Sequence, residues 1–206
     1  MAERSYYELS LNRFPSKYWH RNIIETARRM VEGSGVRGPV LDLGCGDGVR
    51  TRMIVGDALE VHGVDIDPEM VIFAKKRLNK VYLASIDGDL SEILDSKYGT
   101  VLLFESLEHV RDPERVLQNA AKLLEDRGLL VVIVPLETTL FKIIWWLWTK
   151  TLGRRWREAH LYKFKSVKQL LSMLERDFKV LEYRLTNLGC IIVAICQRRE
   201  RKEGMY

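Results

Sequence analysis

Short apolar runs alternate with amphipathic stretches through most of the chain. This alternation predicts a parallel β-sheet covered by helices, because buried parallel strands are apolar throughout whereas the covering helices are apolar on one face. A further pair of apolar runs near the end predicts two strands joined by a tight turn as an antiparallel hairpin. The predicted strands occupy residues 39–44, 61–66, 81–86, 100–106, 129–135, 179–188 and 190–197.

Two of the predicted helices have clear start signals. Asp67 and Asp112 each precede a proline, which combines an aspartate N-cap with proline at the first helical position. Residues 113–124 then carry apolar side chains at helical spacing. Arg127-Gly128 predicts the end of this second helix. The order of elements therefore indicates an α/β fold, with residues 1–37 as an N-terminal helical segment.

Composition indicates a single globular domain over residues 1–206, with 47% hydrophobic and 30% charged residues. The net charge of +5 is mild, so it permits an acidic partner without demanding one. The three cysteines form no CxxC pair and the four histidines form no zinc pattern, so no metal site is predicted. No apolar run has the length of a membrane span, and the first residues lack a signal peptide core, which together predict a cytoplasmic protein.

The most informative motif is the glycine-rich turn that follows the first predicted strand. Glycines after a strand allow a sharp turn and close approach of a ligand to the backbone. The spacing is G-x-G-x-G, whereas a dinucleotide-binding turn would need its last glycine where Val49 stands. A buried carboxylate at Asp42 would repel a pyrophosphate but suits a cationic ligand. These details disfavour a nicotinamide dehydrogenase.

The glycine-rich turn is followed by further motifs in a fixed order, and the set resembles the class I S-adenosylmethionine-dependent methyltransferases. The resemblance implies a doubly wound, seven-stranded, mostly parallel sheet with a C-terminal antiparallel hairpin. It also implies S-adenosyl-L-methionine as the cofactor and methyl transfer as the activity. The motifs that carry it are LDLGCGDG (41–48), VHGVDIDPEM (61–70), SIDGDL (85–90), FESLEHVRDPERVL (104–117) and LLEDRGLLVVIVP (123–135).

The resemblance also implies a set of cofactor-binding residues. Acidic groups near the glycine turn suit the sulfonium and ammonium of the cofactor, and Asp65 stands where a carboxylate accepts both ribose hydroxyls. Asp87 matches the adenine contact, although Asp89 competes with it unless Asp89 caps the next helix. The full predicted set is Asp42, Gly44, Gly46, Asp65, Ile66, Asp87, Gly88 and Glu105, with Ile66 packed on the adenine.

The fourth predicted strand ends in Glu105-Ser106-Leu107-Glu108-His109. Methyl transfer is an in-line displacement, so alignment supplies much of the acceleration, and a base is needed only when the acceptor arrives protonated. Glu105 and His109 are the candidate catalytic residues. The alternative for His109 is that it shapes the start of the following helix together with Glu108.

Residues 136–165 form a basic and aromatic insertion after the fifth strand. Phe141, Trp145 and Trp148 recur at helical spacing, and residues 142–168 contain eight Lys or Arg and one acid. One interpretation is a helix packed on the sheet beside a solvated basic loop. The other is a lid that admits an apolar or lipid-like acceptor while residues 140–157 contact a membrane surface.

Three functions remain in competition at the level of sequence. The first is methyl transfer to a small-molecule acceptor, and the second is an RNA methyltransferase. The third is a non-catalytic S-adenosylmethionine-binding module. No RRM or KH signature is present, which argues against nucleic acid as the partner. The sequence does not determine the oligomeric state.

Overall fold

The computed structural model describes residues 5–12, 14–91, 93–94, 96–150, 161 and 164–199. These residues form seven strands: β1 (Val40–Leu43), β2 (Val61–Asp65), β3 (Lys80–Leu83), β4 (Tyr98–Phe104), β5 (Leu124–Pro135), β6 (Phe178–Thr186) and β7 (Ile191–Arg198). The helices are α1 (Tyr6–Asn12), α2 (Ser16–Ser34), α3 (Val49–Val55), α4 (Pro68–Ala74), α5 (Pro113–Leu123), α6 (Thr139–Lys150) and α7 (Val167–Leu174), with a 3-10 turn at Leu107–His109.

The strands form one sheet in the order β3-β2-β1-β4-β5-β7-β6. β7 runs antiparallel to both of its neighbours, and every other pairing is parallel. The predicted mostly parallel sheet with a C-terminal hairpin is therefore confirmed. The order of strands reverses between β1 and β4, and the carboxyl ends of strands at such a point open a crevice that binds ligands.

Helices cover both faces of the sheet and divide the core into two layers. On one face the apolar stripe of α2 packs with α3 against the strands, and this stripe includes Ile23, Ala27 and Met30. On the other face α5 and α7 pack against the same strands, through Val116 and Leu170 among others. Each fully buried Val, Leu, Ile or Met side chain in these layers stabilises the fold by about 1.5–3 kcal/mol. The doubly wound arrangement is thus confirmed.

Both predicted aspartate caps are confirmed. Asp67 accepts a hydrogen bond from the Glu69 amide at 2.8 Å, and Asp112 accepts one from the Arg115 amide at 3.0 Å. The predicted hairpin also forms, with left-handed residues between β6 and β7 that include Gly189. Local start and turn signals therefore determine these elements.

The predicted helix end at Arg127-Gly128 is wrong. The helix ends at Leu123, and β5 already begins at Leu124. Leu124 is fully buried, and its carbonyl accepts a hydrogen bond from the Arg198 guanidinium at 2.6 Å. Arg127 adopts a left-handed φ of 58° within the strand. The local stop signal thus marks an irregularity inside β5, because tertiary contacts outweigh local propensity.

The third strand is shorter than the predicted 81–86. It ends at Leu83, and the chain then turns, with the Gly88 amide donating to the Ser85 carbonyl at 3.1 Å. The Ser85 hydroxyl also donates to Asp87. Side-chain hydrogen bonding by serine and aspartate favours turns over strands, which accounts for the early end.

Candidate active site

A cavity of about 730 Å³ opens at the carboxyl ends of β1 and β4. This volume lies within the roughly 300–1,000 Å³ range of small-molecule and cofactor sites. It is lined by the glycine turn, the start of α3, the segment at the end of β4, the end of β5, the start of α2, and α6. The crevice expected from the strand order is therefore present and is covered by two helices.

The glycine turn is held by the ends of two neighbouring strands. Gly44 has a left-handed φ of 85°, and a Cβ atom there would lie 2.4 Å from the Ser106 Cβ. Only glycine therefore permits the turns after β1 and β4 to pack this closely. The Asp65 carboxylate accepts hydrogen bonds from the amides of Gly46, at 2.7 Å, and Asp67, at 2.9 Å. The turn is thus fixed by the Asp65 carboxylate and by close packing against Ser106.

Asp42 supplies a buried carboxyl group to the floor of the cavity. It is 2% exposed, and one carboxyl oxygen accepts a hydrogen bond from the Thr51 hydroxyl. The other oxygen has no hydrogen-bond partner among the described residues. Burial raises the pKa of Asp42 to about 7, and the neighbouring Asp65 adds to this rise. An adjacent cation would favour the ionised form, so the site fits a positively charged ligand.

Arg50 connects three parts of the cavity wall. Its guanidinium lies 2.8 Å from the Glu105 carboxylate and 3.2 Å from the His20 Nδ1 atom, and it stacks over the Phe104 ring. Glu105 has a left-handed φ of 46°, which is uncommon for this residue type. Burial, with a further contribution from the Arg50 charge, lowers the pKa of His20 to about 3. His20 is therefore neutral near pH 7.

Glu108 is a second buried carboxyl group that lines the cavity. It is 2% exposed, and its Oε2 atom has no hydrogen-bond partner among the described residues. Burial, followed by the Glu105 charge, raises the pKa of Glu108 well above its usual range. A carboxyl group whose pKa is raised keeps its proton to higher pH, and in the protonated form it can donate a hydrogen bond. His109 lies beside it on the wall, with 4.0 Å between the His109 Nε2 and Glu108 Oε1 atoms.

An aromatic wall faces the glycine turn. Along α6, Phe141 stacks on Trp145 with ring centroids 5.6 Å apart, and Trp145 lies 5.1 Å from Trp148. Trp19 of α2 also lines the cavity and adds to its apolar surface. Aromatic pairs of this kind contribute about 0.5–1.5 kcal/mol beyond their buried area, so the wall is a packed structure. His160 and the basic residues Arg154, Arg155 and Arg157 lie outside the described residues.

The cavity brings together five of the residues predicted from the sequence. Asp42, Gly44 and Gly46 line one side, and Glu105 and His109 line another. His109 also ends the 3-10 turn before α5, as the structural alternative expects, and its catalytic role stays a prediction.

The other four predicted residues lie outside the cavity lining. Asp65 reaches the site through the Gly46 amide, and burial raises its pKa above the usual range. Ile66 is 69% exposed directly after β2. Asp87 accepts from Ser85, and the Gly88 carbonyl accepts from Asn119 at 2.8 Å beside a separate polar groove. Their contacts with a cofactor stay predictions.

The competing Asp89 closes a turn in the structure. Its carboxylate accepts from the Ser91 amide at 3.0 Å, which lowers its pKa. Within the described part of the chain, no helix begins at this point and no group of His, Cys, Asp or Glu is arranged to hold a metal ion.

The sequence interpretation missed Arg50, His20 and the burial of Glu108. Arg50 has a local signal, because a cation in the first turn of a helix opposes the helix dipole and needs compensation from elsewhere. Here the compensation is the Glu105 carboxylate. No local signal marks His20 or Glu108, since their environments depend on elements distant in sequence.

Comparison with known proteins gives consistent matches. Residues 13–183 match the family described as methyltransferase domain. The ubiquinone biosynthesis O-methyltransferase of Nitrosomonas europaea is 28% identical over 142 residues, covering 66% of this chain and 53% of that protein. The magnesium-protoporphyrin O-methyltransferase of Rhodobacter capsulatus is 29% identical over 113 residues, covering 52% of this chain and 50% of that protein. This chain thus spans about half the length of these curated relatives.

The fold also matches solved structures. Magnesium protoporphyrin IX methyltransferase from Synechocystis, solved with bound S-adenosylhomocysteine, aligns with a TM-score of 0.67 at 16% sequence identity. The alignment covers 97% of this chain and 90% of that chain. At this identity the likeness concerns the fold.

Proposed function

Because the chain belongs to the class I S-adenosylmethionine-dependent methyltransferases, we propose that it transfers a methyl group from S-adenosyl-L-methionine to a small apolar or amphipathic molecule. One observation carries this proposal: a single cavity joins a polar side to an aromatic side. The polar side, here termed the cofactor half, comprises Asp42 and the turn 44–47. The aromatic side, termed the acceptor half, comprises Trp19 and the α6 residues Phe141, Ile144, Trp145 and Trp148.

The cofactor half has the properties that the cofactor requires. S-adenosylmethionine carries a sulfonium, which supplies the methyl group, and an ammonium. The partly satisfied carboxyl of Asp42 offers charge complementarity to these cationic groups, and Gly44 and Gly46 permit close approach of the ligand. Asp65 would accept the ribose hydroxyls. Ile66, Asp87 and Gly88 would contact the adenine.

The acceptor half favours a small apolar or amphipathic acceptor. Aromatic side chains bury large areas of apolar ligand surface and exclude water from the reacting atoms. The names of the two curated relatives refer to ubiquinone biosynthesis and to magnesium-protoporphyrin. Both names refer to ring systems of the kind an aromatic wall suits, and this supports a small-molecule acceptor.

Polar groups at the junction of the two halves would meet the reactive end of the acceptor. Glu105 is charge-compensated by Arg50, whereas Glu108 is buried and its Oε2 atom has no hydrogen-bond partner among the described residues. Glu108 would hydrogen-bond the acceptor heteroatom and orient it. Where the acceptor carries a proton, His109 or Glu105 would remove it, and alignment by the cavity would supply the rest of the acceleration.

Two measurements test this function. Calorimetry should show binding of S-adenosylmethionine and S-adenosylhomocysteine and no binding of NAD; binding of NAD alone would overturn the proposal. Incubation of cell extract with isotope-labelled methyl donor, followed by mass spectrometry, should then yield a labelled small molecule or lipid. A labelled RNA nucleoside would assign the acceptor to RNA. Cofactor binding with no labelled product from any extract would indicate a non-catalytic module.

A further inference from the structure

The outer face of α6 is apolar although it faces solvent. A surface helix normally presents polar residues on the side away from its packing partner. In α6 the inner residues line the cavity, yet the outer face also exposes large apolar side chains, with Trp146 54% exposed and Ile143 53% exposed. Leu140 and Leu147 extend this face. Such a contiguous exposed apolar surface marks an interaction site.

A second exposed apolar group borders the same opening. Phe14 is 76% exposed and packs edge-on against Tyr18, which is also exposed. Tyr18 and Leu147 both line the mouth of the cavity. Exposed apolar side chains at the start of α2 and on α6 therefore border the entrance. We term this surface the rim; it comprises Phe14, Tyr18, Leu140, Ile143, Trp146 and Leu147.

The charge of this rim has a single sign. The segments Ser16–Ile24 and Thr139–Lys150 contain no Asp or Glu. Lys17 holds its ammonium 4.9 Å from the Tyr18 ring, and Lys150 holds its ammonium 3.8 Å from the Trp146 ring. Cations beside aromatic rings suit a surface where apolar material and anionic groups meet, as they do at a bilayer headgroup layer.

Another exposed apolar surface provides a contrast. On β6, Leu181 and Tyr183 are each about half exposed. Here, however, the strand also contains an acid, Glu182, which forms an ion pair with Arg184 at 2.7 Å. Exposed apolar side chains alone therefore do not distinguish the rim. The distinguishing feature is their combination with unbalanced positive charge.

We propose that this rim docks on an anionic lipid bilayer, so that the cavity opens toward the membrane. The apolar side chains Phe14, Ile143 and Trp146 would enter the interface, while Lys142 and Lys150 would contact lipid phosphates. The docking itself is independent of the enzymatic activity. The corollary that an amphipathic acceptor enters from the bilayer rests on the proposed function. Among the described residues no helix is long and apolar enough to span a bilayer, so contact would be made at the surface.

Co-sedimentation with vesicles tests the docking without cofactor or acceptor. The protein should bind vesicles of phosphatidylcholine mixed with phosphatidylglycerol and bind pure phosphatidylcholine far less. The variant Lys142→Glu/Lys150→Glu should lose at least about 25-fold in partitioning, because each lysine near an anionic surface contributes about fivefold. Lys168→Glu/Lys179→Glu changes the charge equally on α7 and β6, and it should bind like the unaltered protein.

The apolar contribution needs its own pair of variants. Ile143→Ser/Trp146→Ser should weaken vesicle binding at least about tenfold, whereas Leu181→Ser/Tyr183→Ser should leave it unchanged. Thermal unfolding and calorimetry with S-adenosylmethionine confirm that each variant is folded.

Three outcomes bear on the proposal as a whole. Absence of vesicle binding, or equal losses in both members of a pair, would overturn the docking. So would sedimentation equilibrium showing a dimer that Ile143→Ser/Trp146→Ser dissociates, because the rim would then cover a second copy. If the unaltered protein binds vesicles but does not bind S-adenosylmethionine, that result would count against the proposed function and not against the docking.

Discussion

The cofactor half and the acceptor half of the cavity are built in different ways. The cofactor half is built at strand ends: the Gly44 and Cys45 amides donate to the Val64 carbonyl, and the Gly46 amide donates to the Asp65 carboxylate. The acceptor half consists of side chains from α2 and α6, which are more than a hundred residues apart in sequence. The glycine turn of the first half can be recognised from its own sequence, whereas no single motif contains the residues of the second half.

The largest expected effect is on acceptor turnover, and it comes from a variant that changes only the acceptor half. Trp145→Ala/Trp148→Ala should lower kcat/KM for the identified acceptor by at least about 100-fold, because each truncation removes about 1.5–3 kcal/mol of apolar burial. Affinity for S-adenosylmethionine should stay unchanged, since neither tryptophan belongs to the cofactor half. Steady-state kinetics and calorimetry measure the two quantities. Full activity in the folded double variant would show that α6 takes no part in acceptor binding.

The converse variant changes Asp65, which supports the cofactor half through the Gly46 amide. Asp65→Ala should weaken S-adenosylmethionine binding by roughly 10–150-fold, because a charged acceptor of hydrogen bonds contributes about 1.5–3 kcal/mol. Calorimetry measures this loss in protein whose folding is verified by circular dichroism. If the melting temperature collapses while the remaining folded protein binds normally, Asp65 serves only the glycine turn and the ribose assignment is wrong.

A smaller effect is expected from pH, through Asp42. Because its pKa is raised to about 7 in the free protein, Asp42 is neutral below this pH and ionised above it. A cation binds the ionised form better, so affinity for S-adenosylmethionine should rise about tenfold from about pH 6 to about pH 7.5 and binding should release a proton. Calorimetry in buffers of different ionisation enthalpy detects that proton.

The control for this pH effect is Asp42→Asn, which should bind more weakly and without this rise. Burial of Asp42 also makes a prediction for folding. Its protonated form stabilises the native state below about pH 4, and this contribution is lost as pH rises through about 7. The asparagine variant should therefore lose less stability over that range. A flat affinity profile in the unaltered protein would remove Asp42 from the proposed cationic contact.

The smallest expected effect concerns Asp67, two residues from Asp65. Its carboxylate caps α4. Asp67→Ala should lower the free energy of unfolding by about 1 kcal/mol, the usual value of an N-cap, and leave cofactor affinity unchanged. Denaturant titration and calorimetry give the two values. A large loss of cofactor affinity would show that Asp67 contributes to cofactor binding in addition to capping α4.

Elements with local signals were predictable, including the sheet, the hairpin and the Asp112 cap. The end of α5 was not, because burial of Leu124 outweighs the Arg127-Gly128 signal. In the site, the glycine turn follows from its sequence, whereas the burial of Glu108 and its raised pKa arise from the surrounding fold. The contact of Arg50 with His20 likewise needs α2 to pack over α3.

The close contact between Gly44 and Ser106 affects how the acceptor specificity of this fold can change. It fixes the spacing between the ends of β1 and β4 without involving α6. Substitutions along α6 can therefore change which molecules fit the acceptor half while the glycine turn keeps its geometry. Conversely, a side chain at position 44 would force the two turns apart whatever the acceptor. An engineer seeking a new acceptor for this scaffold would randomise α6 and leave Gly44 and Ser106 untouched.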